Sequence, residues 1–321
     1  GLYTSRPIPT AGRIHERDLL WQPVVALHRG PPRVRCVVLE GAAGTGKTHL
    51  ARWLTERAHE LGSAHVWWCE HQVRSGPNYG LPGMLRAHLH AQGLDGDELD
   101  RQVCHASRSW GTTDPVDQQV LAHLLHGEPG IAEGPSEVSR QESLSALVRH
   151  AHHVSARRPL IVCIDDGHQG VDALVFAQAL LQAAPARVLI LVALRDQAQS
   201  SGMRALVSNL TATAVRLRVD PLPASDHLDM VRELLGLEGE LARRVAERTQ
   251  GNPAFAAALV ADWVARDQLI RAPGGFRLRP GVDDALPDDL FTFWRDDLNR
   301  ALGAPTDRVR AALELAAVLG M

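Results

Sequence analysis

Aromatic side chains are scarce, at 4% of 321 residues, while Ala and Leu are abundant. A core built from such a chain packs through small and branched side chains, which favours helices. Neither sign of charge is in excess. The formal net charge is −3, so the chain as a whole has no electrostatic pull toward nucleic acid or an anionic membrane. Sixteen histidines add positive charge only below about pH 6.5. Cysteine is limited to Cys36, Cys69, Cys104 and Cys163, with no C-x-x-C spacing. That excludes a disulfide framework and fits a reducing, cytoplasmic setting. Cys36 and Cys163 lie inside apolar runs, where Cys acts as a small hydrophobe. No apolar run approaches the ~20 residues of a membrane-spanning helix, and there is no signal-peptide pattern. No membrane partner is expected. Fixed-period repeats and low-complexity tracts are also missing. The length suggests two or three domains.

What is there begins with Gly41, Ala42, Ala43, Gly44, Thr45, Gly46, Lys47 and Thr48, a complete G-x-x-x-x-G-K-[ST] loop. It follows the β-branched run Val34–Leu39 and opens a helical pattern, Lys47–Leu61. That context predicts a phosphate cradle. Glycines let backbone N–H groups turn inward, and a helix start adds unpaired N–H groups and a positive dipole end. Lys47 is expected to reach the β- and γ-phosphates and Thr48 to ligate Mg²⁺, with His49 completing the nucleotide-binding run. The alternative is a Gly-rich turn with a chance Lys.

The remaining pattern alternates strand and helix. Strands are predicted at Val34–Leu39, Ala64–Cys69, Leu160–Ile164, Val188–Leu194 and Ala214–Val219. Helices are predicted at His15–His28, Lys47–Leu61, Glu142–Ser155 and Ala173–Gln182. Gly62 reads as the residue closing the second of these. Continuous Val/Leu/Ile runs are typical of parallel strands covered on both faces, so the expected core is a three-layer α/β domain. Val73–Arg140 reads as a helical insertion or a loop-rich region. After Asp220-Pro221 the strands stop. Ser225–Leu235, Glu240–Arg248 and Pro253–Asp267 read as helices, with Ser225 and Asp226 as candidate caps. A short extended piece is marked by Gly274-Gly275, and a further helical segment begins at Leu286-Pro287.

Other constellations carry chemistry. Leu160–Ile164 delivers Asp165 and Asp166 at a strand's C-terminal end, where ligands sit in open parallel sheets. Asp165 is expected to hold Mg²⁺ opposite Thr48. Asp166 is expected to orient or deprotonate an attacking water. An Asp turn ending a strand is the plainer alternative. Arg195 ends another strand and is either a γ-phosphate sensor or a surface partner of Asp196. Gly251-Asn252-Pro253 suits the turn and first residues of a helix on structural grounds alone. On a strand, His65, Cys69 and His71 share a face with Trp67, but their spacing does not match a structural zinc site and no fourth ligand is evident. Trp67-Trp68 reads as packing.

With these pieces located, the chain resembles the STAND class of P-loop ATPases, closest to the AAA-type module of bacterial LuxR-like and kinase-linked regulators. Ile14-His15-Glu16-Arg17-Asp18 resembles the family's "GRE" box in a degraded form, which implies that Glu16 and Arg17 help hold adenine. Asp165-Asp166-Gly167-His168 is similar to the "DDxH" acidic motif. The Trp and Asp that follow in the family are Gln169 and Val171 here. Thr249-Gln250-Gly251-Asn252-Pro253 matches the "GNP" box, which implies that Pro253 lies against the nucleotide. Leu286–Leu319 resembles the start of a winged-helix domain. Together these imply a leader and adenine-side helix at 1–30, a P-loop domain at 31–220, a helical domain at 221–285 and a winged-helix start at 286–321. The ending at Leu319-Gly320-Met321 reads as a cut inside a domain of a longer protein, with sensor and effector domains elsewhere.

The expected function is an ATP/ADP switch with slow hydrolysis, needing Mg²⁺ and forming a homo-oligomer in the ATP state. Three rivals stand beside it: a continuously cycling AAA-type ATPase, a nucleotide-retaining module with little turnover, and a DNA-binding regulator. The last is disfavoured here, since no basic stripe indicates direct nucleic-acid contact. No guanine-reading N-K-x-D stretch is present, which favours ATP.

Overall fold

The structure, a computed structural model, describes residues 11–30, 34–71, 78–126, 137–183, 187–196, 201–211, 214–282 and 289–302. The leader at 1–10, residues 73–77 and 127–136 of the expected insertion, and all of the expected winged-helix start except 289–302 lie outside them. The chain divides into two compact units. One gathers the described residues of 1–14, 41–49 and 219–302; the other gathers those of 15–40 and 50–218.

The larger unit is a sheet wrapped by helices. The elements lying wholly or mostly in it are α1 (Ile14–Leu27), β1 (Cys36–Gly41), α2 (Lys47–Glu60), β2 (His65–Glu70), α3 (Gly80–His88), α4 (Gly96–Ser109), α5 (Pro115–His126), α6 (Glu137–Arg157), β3 (Leu160–Asp165), α7 (Val171–Gln182), β4 (Val188–Arg195), α8 (Ser201–Thr211) and β5 (Ala214–Arg218). The strands form a parallel five-stranded sheet in the order β2-β3-β4-β1-β5. In register, Ile164 lies beside Cys69 on one flank and Val192 on the other. Burial follows position in the sheet. All six residues of β3 are buried, as are seven of the eight in β4, whereas edge strand β2 alternates and β5 buries only Leu217. A strand covered on both faces must be apolar throughout; an edge strand need not be. Each fully buried Val, Leu or Ile contributes about 1.5–3 kcal/mol.

Residues 80–126 settle the insertion question in favour of helices. α3 packs on β2, α4 on α5, and α5 on α6. Arg86, 5% exposed, staples the block by donating to the carbonyls of Ala91, Leu94 and Leu125. Asp117 on α5 receives a two-pronged bond from Arg149 on α6. Between this block and β2 lies a ring-rich patch. Trp67 stacks on His150 at 5.9 Å, and His88 Nε2 meets His150 Nε2 at 3.1 Å. Burial holds both imidazoles neutral, His88 down to about 3 and His150 to about 4. Trp67 is thus a packing residue, as expected. Gly62 closes α2 with φ +62°, also as expected.

The smaller unit contains α9 (Ala224–Asp229), α10 (Gly239–Thr249), α11 (Pro253–Ala265), the antiparallel hairpin β6 (Leu269–Ala272) and β7 (Gly275–Leu278), and α12 (Leu290–Leu302). Met230–Leu234 continues α9 as a π-helical turn, which breaks the single helix expected over Ser225–Leu235. Neither Ser225 nor Asp226 caps α9. Pro223 stands at the cap position, and the Ser225 hydroxyl donates to Asp226 instead. Met230, Val231, Leu241, Val245, Val260 and Trp263 form one core, and Phe255, Leu259, Leu290 and Phe293 a second.

Candidate nucleotide site

The phosphate loop belongs to the smaller unit. Gly44 and Gly46 have φ +80° and +98°, the left-handed region where a side chain is strained. With these turns the carbonyls of Ala43, Gly44 and Thr45 all accept hydrogen bonds from groups outside the loop. Asn252 Nδ2 donates to Ala43 O at 3.0 Å, and the Ala254 N–H donates to Gly44 O at 3.3 Å. Arg13 donates to Thr45 O at 3.2 Å. Lys47 is 7% exposed and donates from Nζ to Gly41 O at 2.8 Å and Ala42 O at 2.7 Å. Thr45 is buried and its hydroxyl bonds Ala42 O. Thr48 at the helix start is exposed, and His49 is half-buried.

The Gly251-Asn252-Pro253 turn explains itself residue by residue. Gln250 ends α10 at φ +48°, and Gly251 follows at φ +80°. A Cβ on Gly251 would meet the Leu222 carbonyl and come within 2.9 Å of Pro221 Cβ, so glycine is required there. Asn252 caps α11 by accepting from the Phe255 N–H at 3.1 Å. Its amide orientation follows from its two partners, because Phe255 offers only a donor and Ala43 only an acceptor. Pro253 occupies the first turn of α11, and its Cγ lies 4.0 Å from where a Cβ on Gly46 would stand. The residue of this box that bonds the loop is therefore Asn252, with Pro253 packed near Gly46.

Arg13 escapes the sequence reading. Its guanidinium is buried and bridges Thr45 O to the Asp220 carbonyl. The available signal is the dipeptide Gly12-Arg13, which carries the first two letters of the "GRE" box and lies just before the residues read as its degraded form. Arg17 instead sits in the larger unit over the Trp53 ring at 4.5 Å, with Trp21 edge-on to the same ring, and Glu16 is half-buried.

The acidic pair ends β3 in the larger unit. Asp165 is 5% exposed, and its Oδ1 accepts from the Asp166 N–H at 3.1 Å. Asp166 adopts a left-handed backbone, φ +48°, which strains a non-glycine residue and turns its carboxylate off the strand. Arg195 Nε lies 3.6 Å and His168 Nδ1 3.7 Å from Asp166 Oδ1. Asp196 pairs with Arg218, at 3.9 Å. Of the two alternatives for Arg195, the Asp196 partnership is thus replaced by one with Asp166. His71 Nδ1 donates to the Asp165 carbonyl at 3.2 Å, and burial pushes its pKa down. A Cβ on Gly170 would collide with the His71 ring, so this His and that Gly are matched. Cys69 Sγ touches His71 Nε2 at 3.8 Å, while His65 stacks edge-on with Trp110. Among the described residues no three His, Cys, Asp or Glu side chains converge as metal ligands. Burial raises the Cys69 thiol well above its ordinary range, which keeps it protonated.

Each unit by itself carries groups that suit a nucleotide or its metal. In the smaller unit a buried ammonium, outward-held carbonyls and a helix start make an anion cradle, and the exposed Thr48 hydroxyl is a hard oxygen donor. In the larger unit the buried Asp165 carboxylate is a donor of the same hard kind. The AAA ATPase domain family matches residues 9–207. The chain belongs to that family. ATP binding and ATPase chemistry come with this membership, and the family typically uses Mg²⁺. No curated protein matches the chain significantly. Among solved structures, the chain is similar to the Aeropyrum pernix ORC2 protein in its ADPNP-ADP complexes, at 15% identity and a TM-score of 0.49, covering 83% of this chain and 66% of that one. It is similar to the Aeropyrum pernix ORC1 protein in complex with DNA, at 16% identity and a TM-score of 0.48, covering 98% and 85%. The Walker-type ATPase of Pyrococcus abyssi is a third, at 14% and 0.45, covering 98% and 79%. The chain thus spans just under two thirds of the ORC2 chain. No described helix is long and apolar enough to cross a membrane.

Proposed function

We propose that this AAA ATPase domain is a nucleotide-operated switch of the STAND type, within a larger regulatory protein. Lys47 and the loop amides of Gly41 to Thr48 hold the phosphates, with His49 beside them. Thr48 and Asp165 would hold Mg²⁺, which when bound shields phosphate charge. Asp166 orients or deprotonates the attacking water, kept in place by Arg195 and His168, and Arg195 senses the γ-phosphate. Glu16, Arg17 and Pro253 are assigned to the adenine side. The linear division at residues 30, 220 and 285, slow turnover, a cytoplasmic setting, ATP-state oligomers and external sensor and effector domains all belong to this reading.

The observation that supports it is the bonding of the phosphate loop to the start of α11 through Asn252 and Ala254. A helix tied to the loop feels whether the loop holds two phosphates or three. A swing from 1:99 to 99:1 between two arrangements needs about 5.5 kcal/mol of differential affinity, and γ-phosphate contacts are its natural source. The test is to denature the purified protein and identify released nucleotide by chromatography. Stoichiometric ADP agrees with a switch at rest. An empty protein that turns over ATP rapidly favours the cycling ATPase, and an empty protein that neither binds nor cleaves ATP removes both.

A further inference from the structure

A phosphate loop binds anions only while its N–H groups converge, and each peptide plane carries a carbonyl on the side opposite its N–H. Holding the carbonyls out holds the amides in. In this chain three consecutive carbonyls, of Ala43, Gly44 and Thr45, are each held by a donor from another segment. One of these, from Ala254, is backbone; the other two come from the Asn252 amide and the Arg13 guanidinium. Both side chains are anchored at a second point. Asn252 caps α11 through Phe255, and Arg13 bonds the Asp220 carbonyl. A Cβ on Gly44 would come within 2.5 Å of Asn252 Oδ1, so the glycine at that place admits the Asn as much as it admits the turn.

We infer that Asn252 and Arg13 are positioning residues that preform the phosphate loop from its outer side. Neither touches phosphate. Arg13 sets the Thr45 end and Asn252 the Ala43 end, and the loop between them is shaped before any anion arrives. Because the Asn252 amide also caps α11, the loop and that helix share one hydrogen-bonded hinge point. This inference rests on the nucleotide-binding reading for its consequence, but its geometry stands without it.

The experiment uses the whole chain and separates the cap from the clamp. Asn252→Ser keeps a capping oxygen for Phe255 and is too short to reach Ala43 O. Arg13→Met keeps an unbranched stem of similar length but has no donor for either carbonyl. Hydrogen exchange is measured without nucleotide on peptides covering 41–49 and 253–265. Faster exchange in 41–49, with 253–265 as protected as in the parent, is expected for Asn252→Ser; Arg13→Met likewise speeds 41–49. Unchanged exchange in 41–49 for both variants overturns the inference. Loosening of both peptides together in Asn252→Ser reduces Asn252 to a helix cap and also overturns it. Calorimetry then adds the consequence: affinity for ADP and for ATP drops by about threefold to tenfold in Asn252→Ser, the range of one neutral hydrogen bond, and by about tenfold or more in the Arg13 variant, whose lost bonds are charge-assisted. A parent that binds neither nucleotide sinks the proposed function and leaves the exchange result standing.

Discussion

The sheet and the phosphate loop are held by different means. β3 is buried along its whole length between two partner strands, and regular ladder pairing together with apolar packing brings Asp165 to its end. The loop has glycines and small residues with little to pack, and is shaped by named hydrogen bonds from Arg13, Asn252 and Ala254. Packing is non-directional and tolerates volume-conserving exchange; hydrogen bonds are directional and fail one at a time. A carboxylate that must stay still suits the first kind of support. A loop whose amides must be turned to one side suits the second.

The comparison breaks most directly in the sheet. Ile164→Ala removes buried bulk beside the acidic pair and is expected to cost about 2–5 kcal/mol of stability, read by urea unfolding. A loss below about 1 kcal/mol would mean that the strand is not gripped as described. In the loop the effect should fall on binding and not on folding. Lys47→Ala is expected to weaken triphosphate affinity on the order of 100-fold with the melting temperature little changed; unaltered affinity by calorimetry would remove the phosphate-loop assignment. Asp166→Asn sharpens the sheet side. Binding should persist while turnover slows by about 100-fold, and if single-turnover rates match the parent, Asp166 is not the catalytic carboxylate.

The remaining expected effect is one of pH. His88 and His150 are held neutral by burial, with pKa values near 3 and 4 against an ordinary 6.5. A base whose folded pKa is depressed keeps its full stability above the unfolded value and loses it below. The unfolded chain takes up protons that the folded pair refuses, so stability falls from pH 6.5 toward 4. Melting temperature should drop by several degrees across that window, and imidazole NMR signals of both rings should remain neutral at pH 5. Protonation of either ring near its ordinary pKa would show that the patch beneath β2 is open to water.

Much of the sheet was legible because burial on two faces leaves a continuous apolar run. All five strands lie within two residues of their expected limits, and Asp165-Asp166 at the end of β3 follows from the same run. The helical block at 80–126 was harder. Its helices are short, start at glycine or proline, and present polar residues such as Arg86 and Asp117 to the interior, where pairing and not apolarity satisfies them. α8 left no clear pattern at all. The π-helical turn after α9 has no signature in residue type, since it depends on how Leu235 N–H bonds Met230 O.

The sequence alone determined the phosphate loop, the acidic strand end and the alternating α/β order, because each is a local pattern of residue types enforced by backbone geometry or burial. Which side chains support those motifs was decided only by tertiary structure. Arg13 and Asn252 lie 32 and 209 residues from the carbonyls they hold, and Arg195 reaches Asp166 across adjacent strands. A hydrogen bond between distant segments leaves no periodicity in either one. It exists only where the folded chain brings a donor to a carbonyl that needs it.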